Sequence, residues 1–211
     1  MHPSALLLMA QLLAVVAYPF LDSSRVGSAA LGVISMVAVA LALWVVRSTP
    51  ALTVIAVVLG VPAVLMTVLE AVLTDADWVT LSSAILHAPF YFYVSYSLIR
   101  YLFHDDRVTT DELYGIGAAF TVVAWGFAYV YLAVVIWVPG SIGPLGDGTS
   151  RFFDLLFFSF TNLTSVGLSD VTAVLPHARS VVIVEQVAGV MYVALIIARV
   201  VGLTITRWRN S

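Results

Sequence analysis

Residues 164–170, which read Thr-Ser-Val-Gly-Leu-Ser-Asp, form the stretch of this sequence that is best suited to chemistry. They follow an apolar run, residues 152–163, which as a helix would measure ~18 Å, about half of what crossing a bilayer requires. A chain that ends a helix at that depth must return through non-helical backbone. Such backbone is tolerated in a membrane only where protein surrounds it or where it lines a watery cavity. The small, oxygen-bearing residues favour the cavity.

Oxygen ligands in this stretch indicate a site for cations. Carbonyl oxygens of Ser165, Val166 and Gly167, with the Ser165 hydroxyl, are suited to replace the hydration shell of a monovalent cation. Thr164 precedes these residues, while Leu168 and Ser169 follow them. The alternative interpretation is a re-entrant loop that conducts nothing.

The order of these residues resembles the selectivity filter of tetrameric potassium channels, which reads Thr-Thr-Val-Gly-Tyr-Gly-Asp. The correspondence runs without a gap from Phe157 to Gly189. Residues 113–203 also resemble uncharacterised bacterial ion-channel proteins that carry four extra helices before the pore. The resemblance implies a homotetramer in a lipid bilayer with one pore loop per chain. Potassium is then the expected permeant ion and sodium a second one, with no cofactor.

Three departures from the family pattern bear on selectivity. Ser169 stands where the family has a glycine in the left-handed conformation, which costs a residue with a side chain roughly 1–2 kcal/mol. The serine must either accept that cost or distort the strand. Leu168 replaces a tyrosine whose hydroxyl braces the filter, and Ser165 replaces a threonine. These changes favour a cation channel of reduced selectivity, with a potassium-selective channel as the alternative.

The resemblance also assigns supporting and pore-lining roles outside the filter. Asp170 is expected at the outer mouth, with helix capping as the alternative role, and Gly189 is expected to act either as a hinge or as a close-packing position. Glu185 lies inside the last apolar segment, and we expect it to bond to Asn162, Thr161 or Ser165 behind the filter. The expected supporting residues are Phe157, Phe158, Thr161, Asn162 and Glu185. The expected pore-lining residues of the last helix are Val190, Val193, Ile197 and Val201, with packing between subunits as the alternative role.

Composition places the whole chain in a membrane. Of 211 residues, 62% are hydrophobic and 10% are charged, which excludes an ordinary soluble domain of this size. The net charge of −3 gives no reason to expect nucleic acid as a partner, and the absence of cysteine excludes disulfides and thiol chemistry. The sequence therefore predicts an all-α membrane protein and not an enzyme.

Apolar segments predict six transmembrane helices, with a re-entrant pore helix and the filter loop between the fifth and the sixth. Residues 1–107 are expected to form a four-helix N-terminal domain, and residues 108–211 the pore domain. Residues 139–150 are rich in glycine and proline and predict an exposed loop. Thr109 and Glu112 have the spacing of a capping box. The predicted helices span residues 5–21, 26–46, 51–73, 78–99, 109–138 and 176–205.

Arginine placement predicts that both termini are cytoplasmic, because positive residues are enriched in cytoplasmic loops. A bacterial inner membrane is the expected location, with the filter facing outward. The fourth predicted helix lacks an arginine at every third position, so voltage sensing by these helices is not expected.

Two other functions remain open from the sequence. One is a rhomboid-type intramembrane serine protease, because Gly167, Leu168 and Ser169 lie in a chain of about the right number of helices. That chemistry needs a histidine beside the serine, and His177 lies only eight residues after Ser169 in a loop, while His87 lies at the wrong depth. The other is a non-conducting regulatory subunit. Ion flux in proteoliposomes separates these functions from conduction.

Overall fold

The computed structural model describes residues 3–21, 50–73, 76–103, 110–147 and 149–209. The predicted second helix, residues 26–46, lies outside the described residues, and so does Thr109 of the predicted capping box. The described part of the chain is almost entirely helical, which confirms the predicted all-α class.

Long apolar runs form helices close to the predicted bounds. The N-terminal part contains α1 (Pro3–Leu21), α2 (Pro50–Val72) and α3 (Asp77–Leu102). The C-terminal part contains α4 (Thr110–Trp137), α5 (Thr149–Leu163) and α6 (Pro176–Arg209). The helix α5 begins three residues before the apolar run at Phe152 and ends where predicted. The last helix begins at the predicted Pro176 and continues past Ile205.

The helices α3 and α4 form the centre of the packing. Aromatic and branched residues of α3, including Phe90 and Val94, are fully buried and belong to the same core cluster as Ala118 and Ala119 of α4. Small residues let two helices approach closely where apolar surface alone gives little drive for association. Gly126 illustrates the fit, because a Cβ atom added there would lie 3.0 Å from the Phe92 ring.

The helix α1 joins α4 through polar side chains. Thr121 Oγ1 donates a hydrogen bond to Gln11 Oε1 at 2.6 Å, and both side chains are buried. At the start of the two helices, Ser4 Oγ donates to Asp111 Oδ2 at 3.0 Å. These bonds attach the N-terminal part of the chain to α4.

A short antiparallel ladder closes the segment that contains α5 and residues 164–170. Its strands are β1 (Ile142–Gly143) and β2 (Thr172–Ala173), with Ile142 opposite Ala173. The prediction that residues 139–150 are an exposed loop is wrong for part of this range. Ser141 and Ile142 are 0% and 4% exposed, because the ladder holds them against the helices, and Thr149 already belongs to α5.

Two described helical stretches, Asp111–Trp137 and Pro176–Gly202, are long and apolar enough to cross a membrane. Two shorter ones, Ser4–Phe20 and Val54–Glu70, are also apolar. Only 11% of the most apolar window of α6 is buried, against 56% for α4. The single chain therefore leaves α6 with a large apolar surface exposed.

Candidate functional site

The C-terminus of α5 fixes the direction of the backbone that follows it. The amide of Ser165 donates to the carbonyl oxygen of Asn162 at 2.9 Å, and the amide of Gly167 donates to that of Thr161 at 2.9 Å. Both acceptors lie in the last turn of the helix, whose final carbonyls have no partner within the helix itself. The strand therefore turns its amides toward α5.

Because a peptide unit is planar and trans, its carbonyl points opposite to its amide. The carbonyls of Thr164 and Val166 therefore point away from α5. Among the described residues, no hydrogen bond reaches the carbonyl oxygens of Thr164, Ser165 or Val166. The Gly167 carbonyl accepts a bond from the Ser169 amide at 3.1 Å. The C-terminus of a helix carries a partial negative charge, so α5 also favours a cation in front of these oxygens.

Left-handed backbone occurs at Ser165, with φ 58°, and at Gly167, with φ 68°. Ser169 does not have a positive φ. Its hydroxyl instead accepts a bond from the Val171 amide at 3.1 Å. Of the two alternatives for Ser169, the chain takes the distorted strand, and the left-handed conformation falls on Ser165 at a cost of roughly 1–2 kcal/mol.

The carboxylate of Glu185 joins three helices behind this strand. Glu185 lies on α6 and is 0% exposed. Ser159 Oγ of α5 lies 2.5 Å from Glu185 Oε1, and the Tyr131 hydroxyl of α4 donates to Oε2. The sequence predicted a hydrogen-bonded acid behind the filter, but with Asn162, Thr161 or Ser165 as its partner. The nearby Gln186 binds one of these, donating from Nε2 to Asn162 Oδ1 at 3.3 Å.

A count of protons constrains this cluster. The Ser159 hydroxyl carries one hydrogen, yet its oxygen lies 2.8 Å from the Ala124 carbonyl oxygen and 2.5 Å from Glu185 Oε1. Both contacts are hydrogen bonds when Glu185 is protonated at Oε1 and donates to Ser159, which then donates to Ala124. A neutral acid also avoids the cost of an unpaired buried charge. The contacts of this cluster are therefore those expected of a protonated Glu185 that links the three helices.

Gly189, one turn after Glu185, lies against the end of α5. A Cβ atom added at Gly189 would lie 1.9 Å from the Leu163 carbonyl oxygen, which no real structure accommodates without movement. This contact favours close packing as the reason for the glycine. It sets the distance between α6 and the residue that precedes Thr164.

The aromatic and polar residues of α5 divide between the interior and the surface. Phe158 is buried, with its ring centroid 4.9 Å from that of Tyr131, and its carbonyl accepts bonds from both Thr161 Oγ1 and Asn162 Nδ2. Phe157 and Leu168 are exposed in the single chain, at 45% and 77%.

The remaining predicted positions lie on open surface. Residues 164–168 are all exposed, as is Asp170. The four residues of α6 that were predicted to line the pore recur at helical spacing and are about half exposed. Their exposed fractions are 58% for Val190, 48% for Val193, 57% for Ile197 and 50% for Val201.

Sequence reasoning missed two residues that the structure brings into the site, and a third that ties helices together outside it. Tyr131 and Ser159 are the hydrogen-bond partners of Glu185. The signal in the sequence that could have identified them is a hydroxyl group inside an apolar helix. Arg199 was not assigned to either end of its helix. Its guanidinium lies 3.8 Å from Glu112 Oε1 and 4.9 Å from the centroid of the Phe103 ring, so it ties α6 to α3 and α4.

The fold and site define an all-helical membrane protein with a short helix and an oxygen-lined strand between two long apolar helices. Residues 117–205 match the family model described as "Ion channel". This part of the chain is similar to the pore region of the potassium-channel-like family, and together with the long apolar helices it supports a transmembrane ion channel. The match also supports the prediction that the protein is not an enzyme. No curated protein and no solved structure gives a match to this chain.

Replacing Glu185 tests the hydrogen bonds that its carboxyl group makes with Ser159 and Tyr131. In Glu185→Gln, the amide donates to Ser159 and its oxygen accepts from Tyr131, so we expect stability within about 0.5 kcal/mol of wild type. Glu185→Ala leaves the Tyr131 hydroxyl without its partner and should cost about 1–3 kcal/mol. Thermal unfolding in detergent measures both. Equal stability of the alanine variant and wild type would show that the cluster does not hold the three helices together.

Gly189→Ala tests the contact between α6 and α5. The added methyl meets the Leu163 carbonyl, so the helices must separate, and we expect a loss of about 1–3 kcal/mol together with reduced ion flux. Gly202→Ala is the matched control, because a Cβ atom there meets nothing within 4 Å. If the two variants unfold at the same temperature, the close approach at Gly189 is not needed.

Proposed function

We propose that this chain is the pore subunit of a homotetrameric cation channel with potassium-channel architecture. It conducts potassium, and other monovalent cations with reduced discrimination. The observation that carries this proposal is the orientation of the strand after α5, where the amides face the helix and the carbonyls of Thr164 and Val166 face away. The ion-channel family match over residues 117–205 supports it.

The charge pattern of the strand favours cations over anions. Carbonyl and hydroxyl oxygens are suited to replace the water around a cation, whereas an anion needs amide or guanidinium donors. The amides of Ser165 and Gly167 are already used by α5. Asp170, which is exposed three residues beyond Gly167, adds a negative charge at the mouth.

Four copies are proposed because one strand cannot surround an ion. Val166 is 59% exposed and Leu168 is 77% exposed, and both are apolar side chains on the strand that bears the oxygens. The apolar surface of α6 is likewise exposed in the single chain. Fourfold rotation about an axis beside the strand brings the apolar surfaces of neighbouring chains together. It also places the carbonyl oxygens of four strands in a ring.

In the proposed membrane arrangement, the chain crosses the bilayer six times and α5 enters it without crossing. The first four crossings form an N-terminal domain over residues 1–107, and residues 108–211 form the pore domain. Both termini are cytoplasmic, and the filter opens to the outside. Val190, Val193, Ile197 and Val201 then line an apolar cavity below the filter.

Reduced selectivity follows from the outer half of the strand. The hydroxyl of Ser169 binds the Val171 amide, and the Ser169 amide binds the Gly167 carbonyl. Both are local bonds within residues 167–171 of a kind that a regular extended strand does not make. Leu168 brings no hydroxyl to brace this region. The inner oxygens at Ser165 and Val166 remain available, so fewer successive sites discriminate between potassium and sodium.

Restoring the family residues should sharpen potassium preference. We expect Ser169→Gly with Leu168→Tyr to increase the potassium-to-sodium permeability ratio about tenfold, and Ser169→Gly alone to increase it less. The reversal potential under bi-ionic conditions in proteoliposomes measures the ratio. If wild type already excludes sodium strongly, the proposed reduced selectivity is wrong and the channel is potassium-selective. If purified wild type carries no flux, the conduction proposal itself fails.

The native mass of the purified protein tests the proposed tetramer. A tetramer should appear in native mass measurements of the purified protein, and chemical crosslinking in membranes should end at the four-chain product. A monomer or an odd-numbered ring would remove the proposed pore.

A further inference from the structure

A chain of hydrogen bonds lies between α2 and α3, away from the ion pathway. It runs from Thr67 through His87 and Ser83 to Glu70. Thr67 Oγ1 lies 3.2 Å from His87 Nε2, and the other ring nitrogen, Nδ1, lies 2.9 Å from the Ser83 carbonyl oxygen and 3.2 Å from Ser83 Oγ. Ser83 Oγ donates to Glu70 Oε2 at 3.0 Å. His87 and Ser83 are 2% and 0% exposed.

The same positions of the heavy atoms satisfy two protonation states of His87. When the ring is neutral, Nδ1–H donates to Ser83 and Nε2 accepts the Thr67 hydroxyl. When the ring is protonated, Nε2–H donates to Thr67 Oγ1, and the Thr67 hydroxyl turns to the Ala63 carbonyl oxygen 3.2 Å away. Histidine donates from both nitrogens only as the cation, and a hydroxyl serves as donor or acceptor by rotation. The site therefore takes up a proton without leaving any of these groups unpaired.

Burial opposes the extra charge on the ring, and three neighbouring groups act in the opposite direction. Glu70 of α2 is the acidic group, connected through Ser83, and it lies two residues before the end of that helix at Val72. From α4, the Tyr129 ring stacks on His87 with centroids 4.5 Å apart and 13° between planes. An aromatic face attracts a cation at this distance. On α3 itself, the Tyr91 ring lies 6.2 Å away.

Tyr129 connects this site to the pore region. Its ring also packs on Phe152 of α5, with 4.7 Å between centroids. Phe152 lies in the first turn of the helix whose other end holds Thr164. A change in the charge of His87 therefore acts on the ring that contacts α5 directly.

We infer that Thr67, His87, Ser83 and Glu70 form a proton-binding site that regulates ion flux through Tyr129 and Phe152. The regulatory half of this inference rests on the proposed channel function, whereas proton binding does not. Glu70 is partly exposed near the end of α2, and we expect the proton to enter the site there.

The experiment measures proton binding and flux separately. Nitrogen-15 NMR of labelled histidine in lipid nanodiscs follows ring protonation, and the chain contains four histidines. His87→Gln identifies the resonance by its loss. In proteoliposomes, cation flux is compared between about pH 8 and about pH 5 for wild type, His87→Gln, Glu70→Gln and His177→Gln. His177 is an exposed histidine outside the cluster and serves as the matched control.

We expect wild-type flux to change about fivefold over this pH range, and His177→Gln to behave as wild type. His87→Gln should remove the response. Glu70→Gln should move both the NMR midpoint and the flux midpoint to lower pH, because the carboxylate no longer favours the cation. This second variant decides the outcome if His87→Gln does not fold.

A wild-type pH response in His87→Gln, or unshifted midpoints in Glu70→Gln, would overturn the regulatory role. A His87 resonance that does not titrate would overturn the site itself. If no protein conducts at any pH, the channel proposal fails. The NMR titration then still decides whether the proton site exists.

Discussion

The buried carboxyl group of Glu185 is the contact on which the arrangement of the pore region depends. It is the point where α4, α5 and α6 meet, through Tyr131 and Ser159. Inside an apolar bundle, dispersion forces specify position weakly, whereas a hydrogen bond fixes both distance and direction. One turn further along α6, Gly189 lets the helix touch the Leu163 carbonyl. The two contacts together fix the position of the end of α5 and therefore the position of Thr164.

The proposed function depends on the backbone geometry after the end of α5 rather than on side-chain chemistry. The final carbonyls of α5 need donors, and the amides of Ser165 and Gly167 supply them. Each amide that turns toward the helix turns a carbonyl outward. A helix C-terminus and a row of carbonyl oxygens are both negative, so a strand held in this way attracts cations without any charged ligand. The ladder between β1 and β2 holds the far end of the same segment.

Sequence reasoning predicted the helices and the strand because apolar length and small oxygen-bearing residues are local signals. It also placed Glu185 behind the filter, since an acid inside an apolar helix needs partners. It could not identify Tyr131 or Ser159, because the rotation of α4 and α5 relative to α6 is set by packing between distant segments. The burial of Ser141 and Ile142 was missed for a related reason. A run rich in glycine and proline predicts a loop, and its pairing with Thr172 and Ala173 depends on contacts between distant segments. The position of the left-handed residue, Ser165 and not Ser169, likewise depends on the amide contacts with α5.

The central claim is that the strand after α5 lines the path of the cations, and the absence of cysteine from the chain allows a direct test. Thr164→Cys introduces a single thiol at the inner end of the strand. We predict that silver ions stop potassium flux through this variant in proteoliposomes, with wild type unaffected. His177→Cys, outside the strand, should keep its flux when silver binds. Persistent flux in Thr164→Cys after confirmed silver binding would contradict the account.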